Sequence, residues 1–482
     1  MMSMKLLFAG TECAPFFKSG GLGDVLGALP KELAKQGHEV RVVLPYFVQI
    51  IPEEYKEKME DVAEFTVEVG WRNQHCGIKK LEQNGVTYYF IDNLFYFDRP
   101  EFYGYGDDAE RFAYFQLAAI EMLEVVDYIP DIFHVNDWQT AVIPVLLKDK
   151  YQWKIKLRDI RTVLTIHNLM FQGIYDQYVL SDLFGIGYDA FHEHGLKYYD
   201  EVNYLKGGIY YADLVTTVSP TYANEIQTPE FGMGLHEDLQ KVDNKLVGLL
   251  NGIDYDTYDP ETDETIPATF SIDDLSGKAE NKAALQERVG LPVEADIPLI
   301  GVVTRLDEQK GIQLILDSLE ALLAYRNVQL VLLGTGKPYF EEAFRHFTEK
   351  YPEKFQGIID FDVNLAQHIY AGCDMFLMPS AFEPCGLSQM NSMRYGTLPI
   401  VHEVGGLVDT VKPYYHETGE GTGFSFYDFN AETMLDVIDQ AILVYSDHPD
   451  QWEGLVIQAM KENNSWEKAA RAYTDQYKYL AF

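Results

Sequence analysis

The chain has few cysteines and no long apolar run, and each shortage excludes a class of protein. Its 482 residues include only Cys13, Cys76, Cys373 and Cys385, whose scattered positions fit neither a disulfide framework nor a zinc site. The longest apolar runs, such as PLIGVV and QLVLLG, are strand-sized and far shorter than the ~18–20 residues of a membrane span. No signal peptide is predicted at the N terminus. The sequence therefore predicts a cytoplasmic protein with free thiols.

Cations are also scarce: 38 lysines and arginines stand against 75 aspartates and glutamates, for a formal net charge of −37 at pH 7. A surface with this charge repels phosphate backbones and anionic headgroups, so neither nucleic acid nor membrane is predicted as a partner. An anionic substrate would have to be held by a few local cations against the field of the whole protein. Lysines and arginines in glycine-rich loops are therefore the first candidates for a binding site.

Short apolar strands alternate with amphipathic helical segments along most of the chain. MKLLFAG, EVRVVLPYF, VTYYFID, DIFHVND, RTVLTIHN and DLVTTVS have the composition of strands in the first half. A second series begins with IPLIGVVTRL and continues through VQLVLLGTG, GIIDFD, CDMFLMPS and LPIVHE. This alternation predicts parallel sheets with helices on both faces, and a stretch rich in Asn, Gly, Asp and Pro separates the two series.

We therefore predict an α/β protein with two Rossmann-like domains, residues 1–250 and 251–450, and a C-terminal helical segment, residues 451–482. This last segment is expected to pack back toward the N-terminal domain. Within it, SWEKAARAYTDQYKYL predicts a closing helix with Ser465 as its N-cap. The apolar stripe of that helix comprises Trp466, Ala469, Ala470, Tyr473 and Tyr477.

The stretch KSGGLGDV follows the first predicted strand and opens a helix. Its candidate binding residues are Lys18, Gly20, Gly21, Gly23 and Asp24. A dinucleotide site is disfavoured because Leu26 replaces the third glycine of GxGxxG and the next strand does not end in an acid. The P-loop pattern GxxxxGK[ST] is absent too. Backbone N–H groups at a helix start with a nearby lysine suit the phosphate of a sugar nucleotide, with an aspartate for sugar hydroxyls. A plain strand-to-helix turn is the alternative.

Three loops in the second half carry groups that suit a diphosphate and a sugar. TRLDEQKG places two cations, Arg305 and Lys310, at the sheet edge where ligands of open α/β folds bind. FEPCGL places Glu383 before a stretch of bare backbone, and EVGGLVDTV places Gly405 and Gly406 at a helix start. A carboxylate for hydroxyl groups beside backbone N–H groups for phosphate oxygens favours a sugar-phosphate ligand.

Six motifs together, in order along nearly the whole chain, resemble the bacterial glycogen synthases and the related plant starch synthases. These are KSGGLGDV, TIHNLMFQG, NGID, TRLDEQKG, FEPCGL and MRYGTLPIVHEVGGLVDTV. The resemblance implies the GT-B fold, in which two Rossmann-like domains with parallel sheets face each other across a deep cleft. It also implies transfer of glucose from ADP-glucose to the non-reducing end of an α-1,4-glucan, glycogen or a malto-oligosaccharide, with retention of configuration. No metal or other cofactor is expected.

The resemblance implies roles for individual residues as well. His167 is expected beside the anomeric carbon, and Glu383 on the glucose hydroxyls. Arg305 and Lys310 are expected to stabilise the negative charge that develops on the departing ADP. The substrate-binding residues that it implies are Lys18, Gly20, Gly21, Gly23, Asp24, Tyr103, Asp137, Asn251, Cys385, Gly386, Leu387, Gly405 and Gly406.

Several positions depart from the commonest pattern of that family. Asn136 and Gln139 stand in HVNDWQT, where many relatives carry a second histidine. Asp307 adds negative charge to TRLDEQKG, His402 stands where arginine is frequent, and Asn391 stands where the wider group has a second glutamate. A transferase specific for UDP-glucose therefore stays open as an alternative. A non-catalytic glucan-binding protein of the same fold is a further alternative, which the intact set of candidate catalytic residues disfavours.

Overall fold

The computed structural model describes residues 3–481, and the chain divides into two compact units. Unit 1 comprises Met1–Asn251 and Trp466–Phe482, and unit 2 comprises Gly252–Ser465. The first division lies one residue from the predicted boundary at 250/251. The second lies at 465/466 rather than at 450/451, because the helix Pro449–Lys461 packs on other helices and a strand of unit 2.

Unit 1 is built on a nine-stranded sheet and a small three-stranded sheet. Its strands are β1 (Lys5–Ala9), β2 (Glu39–Pro45), β3 (Glu60–Val69), β4 (Arg72–Gln83), β5 (Val86–Asp92), β6 (Ile132–Asn136), β7 (Arg161–Ile166), β8 (Ile174–Asp176), β9 (Lys197–Tyr198), β10 (Glu201–Asn203), β11 (Leu214–Thr217) and β12 (Leu246–Gly248). The large sheet has the order β12-β11-β7-β6-β1-β2-β5-β4-β3, and the small antiparallel sheet has the order β8-β10-β9.

The helices of unit 1 that precede unit 2 connect these strands. They are α1 (Gly21–Lys35), α2 (Glu53–Lys56), α3 (Leu94–Phe97), α4 (Asp108–Val125), α5 (Ile143–Lys148), α6 (Tyr204–Tyr211), α7 (Pro220–Glu225) and α8 (His236–Lys241), with a π-helix at Leu180–Phe184 and a 3₁₀ turn at Asp243–Lys245. In the large sheet, the seven strands in the order β12-β11-β7-β6-β1-β2-β5 all pair in parallel, as predicted. The central strands β1, β6, β7 and β11 are fully or largely buried, which explains their continuous apolar runs.

The edge strand β3 and its neighbour β4 were not predicted, and β4 pairs in antiparallel fashion with both β3 and β5. In β3, EDVAEFTVEV, the exposed residues outnumber the buried ones, as is typical of an edge strand with one solvated face. β3 was not predicted because its many charged residues leave it without an apolar run.

Unit 2 contains a single six-stranded sheet among the described residues. Its strands are β13 (Leu299–Val303), β14 (Gln329–Leu333), β15 (Phe355–Ile358), β16 (Met375–Met378), β17 (Leu398–His402) and β18 (Phe424–Phe426). All pair in parallel, in the order β15-β14-β13-β16-β17-β18. Its helices are α9 (Ser276–Val289), α10 (Ile312–Tyr325), α11 (Pro338–Lys350), α12 (Val363–Gly372), α13 (Ser388–Arg394), α14 (Gly405–Thr410), α15 (Ala431–Asp447) and α16 (Pro449–Lys461), with a 3₁₀ turn at Glu308–Lys310. The predicted Rossmann-like architecture is confirmed in both units.

The parallel part of each large sheet has one place where the strand order reverses direction. In unit 1 it lies between β1 and β6, and in unit 2 between β13 and β16. At such a place the loops that follow the two neighbouring strands turn away from each other and leave a crevice at the carboxyl edge, where ligands of open α/β sheets bind. The topology therefore gives each unit its own candidate site.

Helix α17 (Trp466–Ala481) returns to unit 1 after unit 2 and packs against α1. Its five predicted stripe residues are all buried. The Tyr477 hydroxyl lies 2.6 Å from His134 Nδ1, so the helix is bonded to β6 in the middle of the large sheet. No helix within residues 3–481 has both the length and the apolar character needed to cross a membrane.

Candidate active site

The glycine loop of unit 1 is clamped by Glu12, which the sequence analysis did not single out. Glu12 follows β1 and is 5% exposed. Its Oε2 accepts the backbone N–H groups of Ser19 (2.6 Å) and Gly20 (2.9 Å), and its Oε1 accepts the hydroxyls of Ser19 (2.8 Å) and Tyr103 (2.9 Å). A buried carboxylate requires such partners. The Gly20 N–H, one of the loop groups expected to face a phosphate, therefore binds a side chain of the protein.

Lys18 and Asp24, expected on the donor phosphate and the sugar, pair with each other at 2.7 Å. Gly23 is required beside them, because a Cβ there would lie 2.3 Å from the Cβ of Lys18. At Gly20 and Gly21 a Cβ would point into open space, so packing does not require glycine at either position. The absence of side chains there keeps this side of the loop open to a ligand.

Asp137 and His167 come together where β6 and β7 end. Asp137 has a left-handed backbone conformation (φ 57°), which is uncommon outside glycine. Its Oδ1 accepts the backbone N–H of His167 at 2.7 Å. Burial raises the pKa of Asp137 to about 7, against the opposing effect of backbone hydrogen bonds from His167 and Asn168. A carboxyl group that titrates near neutral pH is typical of functional sites.

The ring of His167 is held by Asn136, the last residue of β6. His167 Nε2 lies 2.9 Å from Asn136 Oδ1. Although part of its surface stays exposed, desolvation lowers the pKa of His167 to about 3, so the ring is neutral at physiological pH. His134, which precedes Asn136 by two residues, is likewise kept neutral because burial lowers its pKa to about 3.

A pocket of about 550 Å³ in unit 1 is lined largely by apolar and aromatic side chains. Its lining residues are Trp138, Met170, Phe171, Gln172, Gly173, Ile174, Tyr175, Tyr198 and Met233. Gly173 is required there, because a Cβ would lie 2.4 Å from the Trp138 ring. Phe171 is 57% exposed, so the pocket presents an apolar surface to solvent. This pocket was not predicted from the sequence, although LMFQG, which begins two residues after His167, was a signal for it.

The candidate site of unit 2 is a smaller pocket of about 180 Å³ at the crevice between β13 and β16. Its lining residues are Val302, Val303, Thr304, Arg305, Lys310, Leu377, Met378, Pro379, Ser380 and Ser388. Both predicted cations are among them, beside three hydroxyl groups. The structure therefore brings Arg305 and Lys310 together at the place that the topology indicates.

Lys310 and Glu383 form a buried ion pair at 2.6 Å, with side chains 16% and 8% exposed. The Ser380 hydroxyl also donates to Glu383 at 3.0 Å. Arg305, by contrast, is 66% exposed and lies 3.7 Å from the Asp307 carboxylate. The departure at Asp307 has a local role, because its Oδ1 accepts the backbone N–H of Lys310 at 3.2 Å and so caps the 3₁₀ turn.

The remaining predicted residues of unit 2 form two loops in close contact. The Gly406 N–H donates to the Glu383 carbonyl at 3.0 Å, and a Cβ on Gly406 would lie 2.0 Å from the Cys385 carbonyl oxygen. Gly386 (φ 74°) has a left-handed backbone, and Leu387 immediately precedes α13. The N–H of Gly406, expected on a phosphate, therefore joins the two loops.

The other residues singled out from the sequence are Gly405, Asn251 and His402. Gly405 (φ 46°) opens α14 in a left-handed conformation. Asn251 is buried, and its Oδ1 has no hydrogen-bond partner among residues 3–481. The His402 ring is fixed between two carbonyl oxygens, those of Ser380 (2.7 Å) and Tyr427 (3.1 Å), so this departure supports the wall of the unit 2 pocket.

Phe361 was missed as well. It follows β15 at the carboxyl edge of the unit 2 sheet and is 82% exposed. Packing does not account for an aromatic ring that is this exposed. Within residues 3–481 no group of three or more His, Cys, Asp or Glu side chains is placed to hold a metal ion.

Comparison with protein families gives one match for each unit. The family described as the starch synthase catalytic domain matches residues 5–241, and glycosyl transferases group 1 matches residues 286–465. Glycogen synthase from Lactococcus lactis subsp. lactis (strain IL1403) is 55% identical over 479 residues, which cover 99% of this chain and 100% of the relative. Glycogen synthase from Streptococcus sanguinis (strain SK36) is also 55% identical, over 477 residues with the same coverage.

Solved structures agree with these matches. The catalytic domain of starch synthase IV from Arabidopsis thaliana, bound to ADP and acarbose, superimposes with a TM-score of 0.91 at 34% identity and covers 100% of both chains. Sucrose-phosphate synthase from Thermosynechococcus elongatus has a TM-score of 0.63 at 17% identity over 98% of both chains, and it shares the fold.

Proposed function

The chain belongs to the glycogen synthase and starch synthase family of glycosyltransferases, and from this premise we propose how it uses its two sites. It is an enzyme with the GT-B fold and glycogen synthase function, acting with a nucleotide-sugar donor and a glucan acceptor. The donor is ADP-glucose, and glucose is transferred to the non-reducing end of an α-1,4-glucan with retention of configuration and release of ADP.

The observation that carries this proposal is the pair of cations in the unit 2 pocket. In a chain with a net charge of −37, Arg305 and Lys310 lie together at the crevice where the topology favours ligand binding. Breaking the bond between glucose and the diphosphate leaves an additional negative charge on the leaving group. Fixed cations that meet this charge stabilise the transition state more than the ground state, and such electrostatic stabilisation is usually the largest contribution to catalysis.

Glu383 and Lys310 act together in the proposed donor site. Because the ion pair is largely shielded from solvent, each side chain holds the other in one orientation. The Glu383 carboxylate can accept hydrogen bonds from glucose hydroxyls while Lys310 faces the diphosphate. Hydroxyls of Thr304, Ser380 and Ser388 line the same pocket and supply neutral hydrogen-bond groups to the nucleotide.

Phe361 is proposed to contact the base of the nucleotide. An exposed aromatic ring at the carboxyl edge of the sheet offers a flat surface on which a purine can stack. Stacking tolerates every base, so preference for adenine must come from hydrogen bonds to its edge.

Unit 1 is proposed to supply the acceptor side. Sugar rings present apolar faces, and they pack well on aromatic and thioether side chains such as those of Phe171 and Met170. Asp137 lies directly before Trp138, and His167 lies three residues before Met170, both of which line this pocket. Asp137 and His167 are proposed to contact the sugar hydroxyls at the reacting centre. Lys18, Asp24 and the open face at Gly20 and Gly21 are proposed as further contacts to substrate.

The test measures release of ADP and UDP from ADP-glucose and UDP-glucose, each with and without glycogen. Arg305→Ala is compared with Arg345→Ala, since both arginines are similarly exposed and weakly paired in unit 2, but Arg345 lies on α11. We expect ADP release that depends on glycogen, a loss of about 100-fold in Arg305→Ala and wild-type activity in Arg345→Ala.

Other outcomes would change the proposal in defined ways. Faster release of UDP would keep the reaction and reassign the donor. Equal activity in the two arginine variants would show that the diphosphate does not bind in the unit 2 pocket. Release of neither nucleotide by a chain that still binds glycogen would support a non-catalytic glucan-binding protein.

A further inference from the structure

The side chain of Asn136 has its two polar ends fixed by different partners. Asn136 is the last residue of β6 and is 1% exposed. Its Nδ2 donates to the Ala9 carbonyl at 3.0 Å and lies 3.5 Å from the His134 carbonyl oxygen. Its Oδ1 lies 2.9 Å from Nε2 of His167. The amide therefore bridges two backbone carbonyls on one side and one imidazole ring on the other.

These contacts determine which way the amide points. Carbonyl oxygens only accept hydrogen bonds, so the amino end of Asn136 must face them. The reversed amide would place its oxygen against the two carbonyl oxygens, which repels, and leave no donor to either. Oδ1 is thus the atom that faces His167, and because Oδ1 only accepts, Nε2 must carry the proton.

A neutral imidazole has one ring proton, so a proton on Nε2 leaves a lone pair on Nδ1. Among residues 3–481, no donor forms a hydrogen bond with Nδ1 of His167. The lowered pKa of His167 agrees with a ring that carries a single proton. Nδ1 of the ring is therefore a hydrogen-bond acceptor that has no donor among residues 3–481.

We propose that Asn136 is a positioning residue that holds His167 in its Nε2–H tautomer, so that Nδ1 accepts a hydrogen bond from a hydroxyl of the bound sugar. The role of Nδ1 rests on the function proposed above for His167. The tautomer itself rests only on the contacts of Asn136. An asparagine at this place gives the ring a fixed partner, whereas a second histidine would itself have two tautomers.

Among residues 3–481, none of the charged or titratable groups around His167 forms a hydrogen bond with its ring, so Asn136 determines the tautomer. The Asp137 carboxyl accepts the backbone N–H of His167 rather than a ring proton. The negative charge of Glu12 raises the pKa of Asp137, and the Glu12 carboxylate accepts hydrogen bonds from the glycine loop and from Tyr103. His134 is kept neutral by burial and is bonded to Thr165 and Tyr477 through its two ring nitrogens.

The experiment is a ¹⁵N spectrum of the histidine rings in the full chain, at neutral pH. The signals of His167 are identified among the 12 histidines by their loss in His167→Gln. In the wild type we expect only the Nε2–H tautomer, with a ring proton protected from exchange with water. In Asn136→Ala we expect a second tautomer and fast exchange of the ring proton. A wild-type ring protonated on Nδ1, or an unchanged spectrum in the variant, would overturn the proposal.

Kinetics on the same proteins separate this proposal from the proposed function. We expect Asn136→Ala to lower kcat about tenfold, as for loss of one hydrogen bond, with little change in the KM for glycogen. Asn281→Ala is the matched control, because Asn281 is a buried asparagine of unit 2 whose Nδ2 also donates to two backbone carbonyls. It should leave the His167 signals unchanged.

Two further variants keep the test decisive. Asn136→Ser keeps a small polar side chain and replaces Asn136→Ala if the latter does not fold. Full activity in His167→Ala would overturn the role of Nδ1 toward the sugar while the spectrum still decides the tautomer. A changed spectrum with unchanged kcat in Asn136→Ala would overturn the positioning role.

Discussion

Both units hold a lysine–carboxylate pair near a glycine-rich loop, at almost the same distance. Lys18 and Asp24 lie 2.7 Å apart in unit 1, and Lys310 and Glu383 lie 2.6 Å apart in unit 2. Their exposure differs: 49% and 35% for the first pair, 16% and 8% for the second. Water screens the first pair, which contributes little to stability and can separate to meet a ligand. The second pair stays together, because separating the two groups would leave a buried charge without a partner.

The same contrast extends to the two pockets. The pocket of unit 2 is small and carries cations and hydroxyls, whereas the pocket of unit 1 is about three times larger and mostly apolar. Charge recognition suits a diphosphate, and an apolar aromatic surface suits the faces of sugar rings. Burial, rather than the distance between charged atoms, therefore distinguishes a rigid binding group from an adaptable one.

Lys310→Ala should have the strongest effect of the variants, because it removes both a cation of the proposed donor site and the partner of Glu383. We expect kcat to fall by about 100- to 1,000-fold and unfolding to become easier by about 3 kcal/mol. Lys18→Ala should change the free energy of unfolding by less than about 1 kcal/mol. Steady-state kinetics and urea unfolding measure the two effects. Adding Glu383→Gln to Lys310→Ala should recover stability without recovering activity. Similar losses of stability in Lys18→Ala and Lys310→Ala would contradict the difference between the exposed and the buried pair.

Gly21→Ala and Gly23→Ala test whether the loop of unit 1 is open for a ligand or only for packing. A methyl group at Gly21 meets open space, so the fold should be unaffected while activity falls about 10- to 100-fold through a displaced substrate. At Gly23 the methyl group meets Lys18, which should cost about 1–3 kcal/mol of stability. Kinetics and thermal unfolding are measured on both. Wild-type activity in Gly21→Ala would show that the loop is a plain strand-to-helix turn.

Phe171→Ala tests the apolar pocket. We expect the KM for glycogen to rise about tenfold with an unchanged KM for the donor, because one aromatic contact to a sugar ring is lost. Trp153→Ala is the control, as Trp153 is an exposed aromatic residue of unit 1 that does not line the pocket. Equal increases in the KM for the donor and the KM for glycogen would show that the pocket is not part of the acceptor site.

The last prediction concerns the pH dependence of stability that Asp137 confers. Its pKa is raised from 3.8 to about 7 in the folded chain, so between these values the native state holds a proton that the unfolded state has lost. Stability is therefore highest at the acid end of this window and falls as pH rises through it, by at most about 1.4 kcal/mol per pH unit. Asp137→Asn should remove this slope. Urea unfolding of both proteins from pH 5 to 8 measures it, and a constant difference between them would contradict the raised pKa.

Much of the fold could be predicted from the sequence, because buried parallel strands and the stripe of α17 leave strong apolar patterns. The cations Arg305 and Lys310 could be named as candidates because the loop that carries them follows a predicted strand. Glu12 was missed, since its burial depends on Tyr103, 91 residues away, and nothing near it in the sequence distinguishes it from a surface carboxylate. For the same reason the pairing of Lys310 with Glu383, 73 residues apart, and the use of N–H groups by Glu12 could not be predicted.

The return of α17 to unit 1 has a consequence for how the protein is made. The ribosome synthesises all of unit 2 before the helix that covers α1 and bonds to His134 through Tyr477. Unit 2 is continuous in sequence and can fold as soon as it emerges, whereas unit 1 must wait for its final helix with an apolar surface uncovered. An N-terminal half that is translated first is thus completed last, and it spends the interval of synthesis as the aggregation-prone part of the nascent chain.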